Sequence, residues 1–216
     1  MKALLQTGSS GRVPVPREKR FLINTGWLSG AGTIQANGGN AATFGGGSGG
    51  RVAIVLDGSG ADFSTWTGTN TAYGGTSPTA VRSGAAGTVY LEAKADNPGA
   101  GKVLVDNRNT VKNNTLTPLP AFDTSTEDIT ATSWETANNA RLGLVADTAV
   151  KSLTLNTGGS LELRGFTLNV EALTIEGQSM SNGTYTAADS ALLTDEVGDG
   201  KVIVFSSPGG SLFLVR

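Results

Sequence analysis

The chain of 216 residues contains no histidine and no cysteine. Without imidazole or thiol, Ser-His-Asp and Cys-His nucleophiles, Cys/His zinc sites, His- or Cys-held haem and Cys-ligated iron–sulfur clusters are all excluded. Disulfides are excluded too, so cysteine usage does not separate an oxidising compartment from a reducing one. Charge is scarce: 16% of residues are Asp, Glu, Lys or Arg, against about 25% in an average soluble domain. With 16 basic and 18 acidic residues and a pI near 5.2, the chain lacks the basic balance of a non-specific nucleic-acid binder. Long apolar runs are missing as well. Ala3-Leu4-Leu5 is too short for the core of a secretory signal and far too short for a membrane span.

What is abundant is glycine, with 31 residues, roughly twice the usual share. The chain is also 38% hydrophobic with a formal charge of −2. Its low charge therefore does not signal disorder, which goes with few apolar residues and high net charge. A compact chain of this length buries about 70% of its extended-chain surface, enough for a core. Residues 1–20 carry Arg12, Arg17, Lys19 and Arg20 around Pro14 and Pro16 and read as a flexible or truncated N-terminal segment. Residues 21–216 read as a single domain.

No stretch holds an apolar stripe of helical period over three turns, so helix is expected to be scarce. Short apolar or alternating runs closed by Gly, Asn or Asp recur instead: Phe21 to Asn24, Gly32 to Ala36, Arg51 to Leu56, Gly87 to Ala93 and Lys102 to Asp106. Their length, β-branched content and flanking turn residues predict strands. In the second half the apolar pairs Leu142/Leu144, Leu153/Leu155, Leu161/Leu163, Leu168/Val170 and Leu173/Ile175 each point two side chains to one face. Leu153 to Leu173 and Leu155 to Ile175 are 20 residues apart, and Leu142 to Leu161 are 19 apart. Strands this short need to stack to bury a core, and that spacing fits one turn of a parallel β-helix, a solenoid. The alternative is an antiparallel β-sandwich with hairpins at Gly158-Gly159 and near Gly165.

Two runs, Gly30-Ala-Gly-Thr-Ile-Gln-Ala-Asn-Gly-Gly39 and Gly45-Gly-Gly-Ser-Gly-Gly-Arg-Val-Ala-Ile54, resemble a Gly-rich pattern of large bacterial cell-surface proteins. Gly84 to Leu91 and Lys102 to Asn107 resemble the coils that follow it in those proteins. Leu153 to Leu155, Gly159 to Leu163 and Gly183 to Ala187 resemble tail rungs of autotransporter-like or adhesin-like β-helices. The resemblance covers roughly residues 26–205. It implies an all-β, right-handed parallel β-helix of pectin-lyase-like fold, secreted or displayed at the cell surface, with a structural or adhesive role. It carries over no catalytic residue, because the matching positions are glycines and core aliphatics.

The Gly45–Gly50 cluster lacks the Lys-Ser/Thr of a phosphate-binding loop and leads into a strand, not a helix. It reads as a tight turn against a neighbouring strand, needing glycine for positive φ. Two segments, 57–83 and 107–140, break the strand spacing and read as long loops, where function often resides. The first carries Asp57, Asp62, Trp66, Tyr73 and Arg82; the second carries Arg108, Asp123, Glu127, Asp128, Trp134 and Glu135. Trp66, Tyr73 and Trp134 are candidate contacts to a glycan, the rings stacking on sugar CH faces, and the competing reading has both tryptophans capping the core. Glu162 and Arg164 are expected to point outward beside Leu161 and Leu163, with Glu171 and Glu176 nearby. Asp189, Asp195, Glu196 and Asp199 lie around a Gly-containing turn that matches no calcium-loop pattern and reads as a solvated acidic loop. The apolar strand 211–216 ends the chain and offers an edge for self-association. The combined expectation is a non-catalytic extracellular structural or adhesive segment with no metal or cofactor. It would self-associate through its ends and meet a surface polysaccharide. The alternatives are a polysaccharide lyase, a glycoside hydrolase or a glycan-binding module on the same fold.

Overall fold

The computed structural model describes residues 19–110, 115–119 and 128–205. Five strands form the first half: β1 (Arg20–Thr25), β2 (Thr33–Gln35), β3 (Arg51–Leu56), β4 (Thr69–Thr71) and β5 (Thr88–Glu92). The second half holds β6 (Lys102–Asp106), β7 (Thr117–Leu119), β8 (Ser133–Ala137), β9 (Arg141–Leu144), β10 (Thr148–Leu155) and β11 (Ser160–Glu162). It continues with β12 (Thr167–Ile175), β13 (Gln178–Ser179), β14 (Gly183–Tyr185), β15 (Leu193–Thr194) and β16 (Lys201–Val204). The architecture is all-β. A single 3-10 turn, Ala80–Arg82, is the helical element among the described residues, and no helix there is long and apolar enough to cross a membrane.

Most strands pair in parallel with a strand one layer away in the stack. The long sheet runs β1-β3-β5-β6-β8-β10-β12-β16-β14, a second runs β15-β11-β9-β7, and a third joins β2 to β4. The apolar spacing of the sequence is the register itself: Leu153 lies beside Leu173, Leu155 beside Ile175, and Leu161 beside both Leu142 and Leu193. Gly158 and Gly165, both at positive φ, do not close hairpins. They sit in the turns that carry the chain from β10 in the long sheet to β11 in the second sheet and back to β12. Period-2 alternation explains which face is buried, as in β3, where Val52, Ile54 and Leu56 are buried and the residues between them are half-exposed.

The segments expected to be long loops contain strands: β4 and the 3-10 turn in 57–83, β7 and β8 in 107–140. These strands carry little apolar signal. β4 is Thr-Asn-Thr, β7 has a central proline, and β8 alternates through Trp134 and Thr136 alone. Within the N-terminal segment, Arg20 already opens β1, while residues 1–18 and the strand expected at 211–216 lie outside the described residues.

The long sheet has a core on each face. Between the two parallel runs, β5 and β6 pair antiparallel, with Val89 beside Leu104 and Tyr90 beside Val103. Val89 belongs to the first core, with Val52, Ile54, Leu56, Ala36 and Ala72, and Leu104 packs against it. Val103 belongs to the second core, with Trp134, Leu153 and Leu161, and Tyr90 packs against that one. Residues paired across a sheet project to the same side. The chain therefore reverses direction and changes the face it buries at one junction.

Segments 36–41, 45–50, 71–76 and 83–88 form a hydrogen-bonded layer of extended backbone. The N–H groups of Gly46 and Gly49 donate to the carbonyls of Arg82 and Ala85, those of Gly47 and Gly50 to Gly39 and Ala36, and those of Gly84 and Gly87 to Gly75 and Ala72. Donors and acceptors step by three residues, the repeat of a polyproline II helix, not of a strand. A Cβ at Gly38, Gly46, Gly49 or Gly84 would overlap a carbonyl of the neighbouring segment. None of these four has positive φ. The expected close approach is present, but proximity, not a left-handed conformation, demands the glycine.

Candidate functional site

The small β2–β4 sheet covers the first core, and among the described residues β4 pairs on one edge only. The register places Asn70 beside Ile34, so the inward position that holds an aliphatic in β2 holds an amide in β4. At this edge, where the first core ends and the outer face of β6 and β8 begins, lies a cleft of about 130 Å³. Asn70, Tyr73, Asp106 and Glu135 are among the residues that line it, with Val89 and Leu104 among its apolar lining.

Local folding fixes each polar group. The backbone N–H of Tyr73 donates to Asn37 Oδ1 at 2.7 Å. Burial, with Asp106 adding to it and Arg108 opposing it, raises the Tyr73 phenol above its ordinary pKa, so it stays a neutral hydroxyl. Asp106 Oδ1 accepts the Arg108 N–H at 2.6 Å, and Oδ2 accepts Asn138 Nδ2–H at 2.8 Å. Glu135 pairs with Lys102, and its Oε1 accepts Asn156 Nδ2–H at 2.7 Å. Two buried side-chain atoms of β4, Asn70 Oδ1 and Thr71 Oγ1, have no partner among the described residues.

Of the three candidate glycan contacts, Tyr73 alone lines this cleft. Trp66 lies at the far end of the segment that forms β4, where it bridges to Gly30. Its half-buried ring sits over two glycines: a Cβ on Gly32 would come 3.5 Å from Trp66 Cη2, and one on Gly68 would overlap the ring. Trp134 is 7% exposed. Its Nε1–H donates to Thr132 Oγ1 at 2.7 Å, and it stacks between Val103 and Leu153. The alternation of β8 points it inward, so it is a core residue and not a surface contact.

Other acidic residues organise their own loops. Asp62 accepts both the hydroxyl and the N–H of Ser64, and Asp128 those of Thr130, which lowers each pKa. Asp123 and Glu127 lie outside the described residues. Glu162, expected to face solvent, is 3% exposed. Its outward face is covered by residues 194–196: it accepts the Thr194 hydroxyl and the Glu196 N–H and stands 3.8 Å from Arg141. Asp195, expected in a solvated acidic loop, is the hub of that loop. Burial works against its charge, but N–H donors of Gly200, Gly165, Gly198 and Val197 outweigh burial and hold its pKa below the usual value. Among the described residues no three acidic side chains are grouped so as to hold a metal ion.

The composition of the cleft was open to a repeat search. Thr33-Ile-Gln-Ala-Asn-Gly-Gly39 aligns with Thr69-Asn-Thr-Ala-Tyr-Gly-Gly75, and the alignment marks Asn70 as an amide standing where the earlier copy has Ile34. Nothing comparable points to Asp106 or Glu135, which arrive through the reversal at β5–β6. No family model, no curated protein and no solved structure matches the chain.

Proposed function

We propose that the chain is a segment of right-handed parallel β-helix from a secreted or surface-displayed bacterial protein, with a structural or adhesive role and no catalytic activity. The observation that carries this reading is the in-register stacking of inward rows. One row runs Val103, Trp134, Leu153, Leu173, and another Val150, Val170, Val204. Rows of this kind extend by addition of further layers without a change of design, which suits a stalk. The Gly-rich motifs that resemble cell-surface β-helices support the extracellular setting. In the rival reading, a carbohydrate-active enzyme, Asp106 and Glu135 would be the working carboxylates. Both, however, are already engaged by side-chain or backbone donors.

The test is incubation of the purified chain with neutral and acidic polysaccharides, with and without calcium, followed by assay of new reducing ends and unsaturated products. The expected result is no release. Turnover that disappears in Asp106→Asn or Glu135→Gln would overturn the non-catalytic reading in favour of the enzyme.

A further inference from the structure

We propose that the free edge of β1 pairs antiparallel with the same strand of a second copy, joining two chains about a two-fold axis. The proposal rests on the strand pairing of the fold, not on the structural or adhesive role, which the polysaccharide assay tests separately. Its first support is an unfinished layer of the first core. Phe21, Ile23 and Thr25 stand in register with Val52, Ile54 and Leu56. Those three are buried, whereas Phe21 is 41% exposed and Ile23 and Thr25 are half-buried. On the outer face of the same strand Leu22 is 71% exposed. Whatever covers this edge has to bring apolar residues to both faces at once, and a second β1 does so.

The second support is the backbone. The N–H groups of Arg51 and Asp57 donate to the carbonyls of Lys19 and Thr25. Alternate residues of a strand turn their N–H and C=O to the same side. Phe21 and Ile23 therefore face β3 with Lys19 and Thr25, and Arg20, Leu22 and Asn24 face the edge that has no partner among the described residues. A two-fold axis through Leu22 sets Leu22 beside the copy's Leu22 and Arg20 beside the copy's Asn24, so all three edge residues find backbone partners. The same register sets Phe21 beside the copy's Ile23 on the core face. A slip of one residue would set Phe21 opposite Asn24 and spoil both faces.

The third support is charge, which selects the antiparallel direction. Arg20 lies beside Arg51 at one end of the β1–β3 pair. Asp57 follows β3 at the other end, where a Cβ on Gly26 would come 3.9 Å from its Oδ1. Antiparallel pairing turns the basic end of each copy toward the acidic end of the other, whereas parallel pairing sets like beside like. The opposite end of the long sheet offers a poorer edge: β14 has three residues against six in β1 and lies antiparallel to β16. A contact of β1 with itself is isologous, so association closes at the dimer.

The chain has no cysteine, so a single introduced thiol reports on one contact. In Leu22→Cys the two thiols would stand on facing residues whose Cα atoms are about 5.5 Å apart, inside the roughly 4.4–6.8 Å that a disulfide spans. Mild oxidation of the full chain should give a covalent dimer at least about tenfold faster in Leu22→Cys than in Val197→Cys. Val197 is exposed and lies in the loop before β16, far from β1 in the sheet order. Where Leu22→Cys fails to fold, a mixture of Arg20→Cys and Asn24→Cys probes the same register and should cross-link faster than either variant alone. The proposal is overturned if Leu22→Cys, or that mixture in its place, oxidises no faster than Val197→Cys, as it would with residues 1–18 of the same chain on the edge. It is equally overturned if sedimentation equilibrium of the unsubstituted chain runs past the dimer to larger species, the mark of a head-to-tail contact.

Discussion

Gly84 and Gly39 sit in the same hydrogen-bonded layer and answer to different constraints. A Cβ on Gly84 would meet the carbonyl of Gly47 and the backbone of Ser48, both part of the neighbouring segment, whereas a Cβ on Gly39 would meet nothing within 4 Å. Backbone cannot rotate away as a side chain can, so Gly84→Ala has to push two segments apart and weaken the bonds between them. We predict that Gly84→Ala lowers unfolding free energy by about 1–3 kcal/mol, while Gly39→Ala changes it by less than about 0.5 kcal/mol. Urea denaturation of the two variants checks this, and equal effects would refute the close-approach account. That glycine crowds these positions was legible in the sequence; the reason was not. Composition reports that glycine is required and leaves open whether the cause is positive φ or a neighbour's carbonyl, because that neighbour, Gly47 for Gly84, lies in another segment of the chain. The same distance effect hid the burial of Glu162, which is covered by residues 194–196; the inward turn of Trp134 was one of the two readings its sequence allowed.

The element that decides the architecture is the antiparallel junction of β5 and β6. Tyr90 sits at its centre: its hydroxyl donates to Glu92 and accepts the Gly101 N–H at 3.1 Å, while Glu92 Oε2 also accepts the Gly99 N–H at 2.9 Å. One phenol and one carboxylate thus tie the loop between the strands to β5. Burial first, and then the hydrogen bond to Glu92, push the Tyr90 pKa up to about 12 from 10.0. A folded-state value above the unfolded one means that the contribution is intact below pH 10.0 and is lost as pH rises through about 12. Tyr90→Phe should therefore flatten the fall in stability over this alkaline window, at a cost near neutral pH of about 0.5–1.5 kcal/mol for the lost hydrogen bonds. Unfolding free energies measured from pH 8 to 12 test the sign, and an unchanged alkaline slope in the variant would count against it. At this scale the aliphatic strands were readable because alternation is local. β4, β7 and β8 were not, since their partners supply the pattern that their own residues lack. The reversal itself left no local mark, because Val89 and Tyr90 both suit a strand and only pairing decides which core each one joins.

For the molecule as a whole, reversing strand direction and changing the buried face amount together to a half-turn about the direction in which the strands of the long sheet succeed one another. That follows from the β5–β6 register and from the placement of the β2–β4 sheet over one core and the β7-β9-β11-β15 sheet over the other. The two ends differ. At one end β14 lies antiparallel against β16 and breaks the parallel run. At the other, β1 pairs with β3 alone among the described residues, and Phe21, which is in register with Val52 and so faces inward, remains 41% exposed. Leu22 and Trp27 add exposures of 71% and 60%. An inward residue left exposed marks a layer with no next neighbour among the described residues, and an uncovered strand edge is a template for another strand. On the β-helix proposal, we predict that a second copy of the chain would meet it at the β1 end. Sedimentation velocity should then show concentration-dependent association of the full chain. Phe21→Lys, an inward charge at an open edge, should shift it to monomer without loss of its β circular dichroism. A full chain that stays monomeric across the accessible concentration range would mean that the chain covers its own end, and the assembly reading would fall while the fold stood.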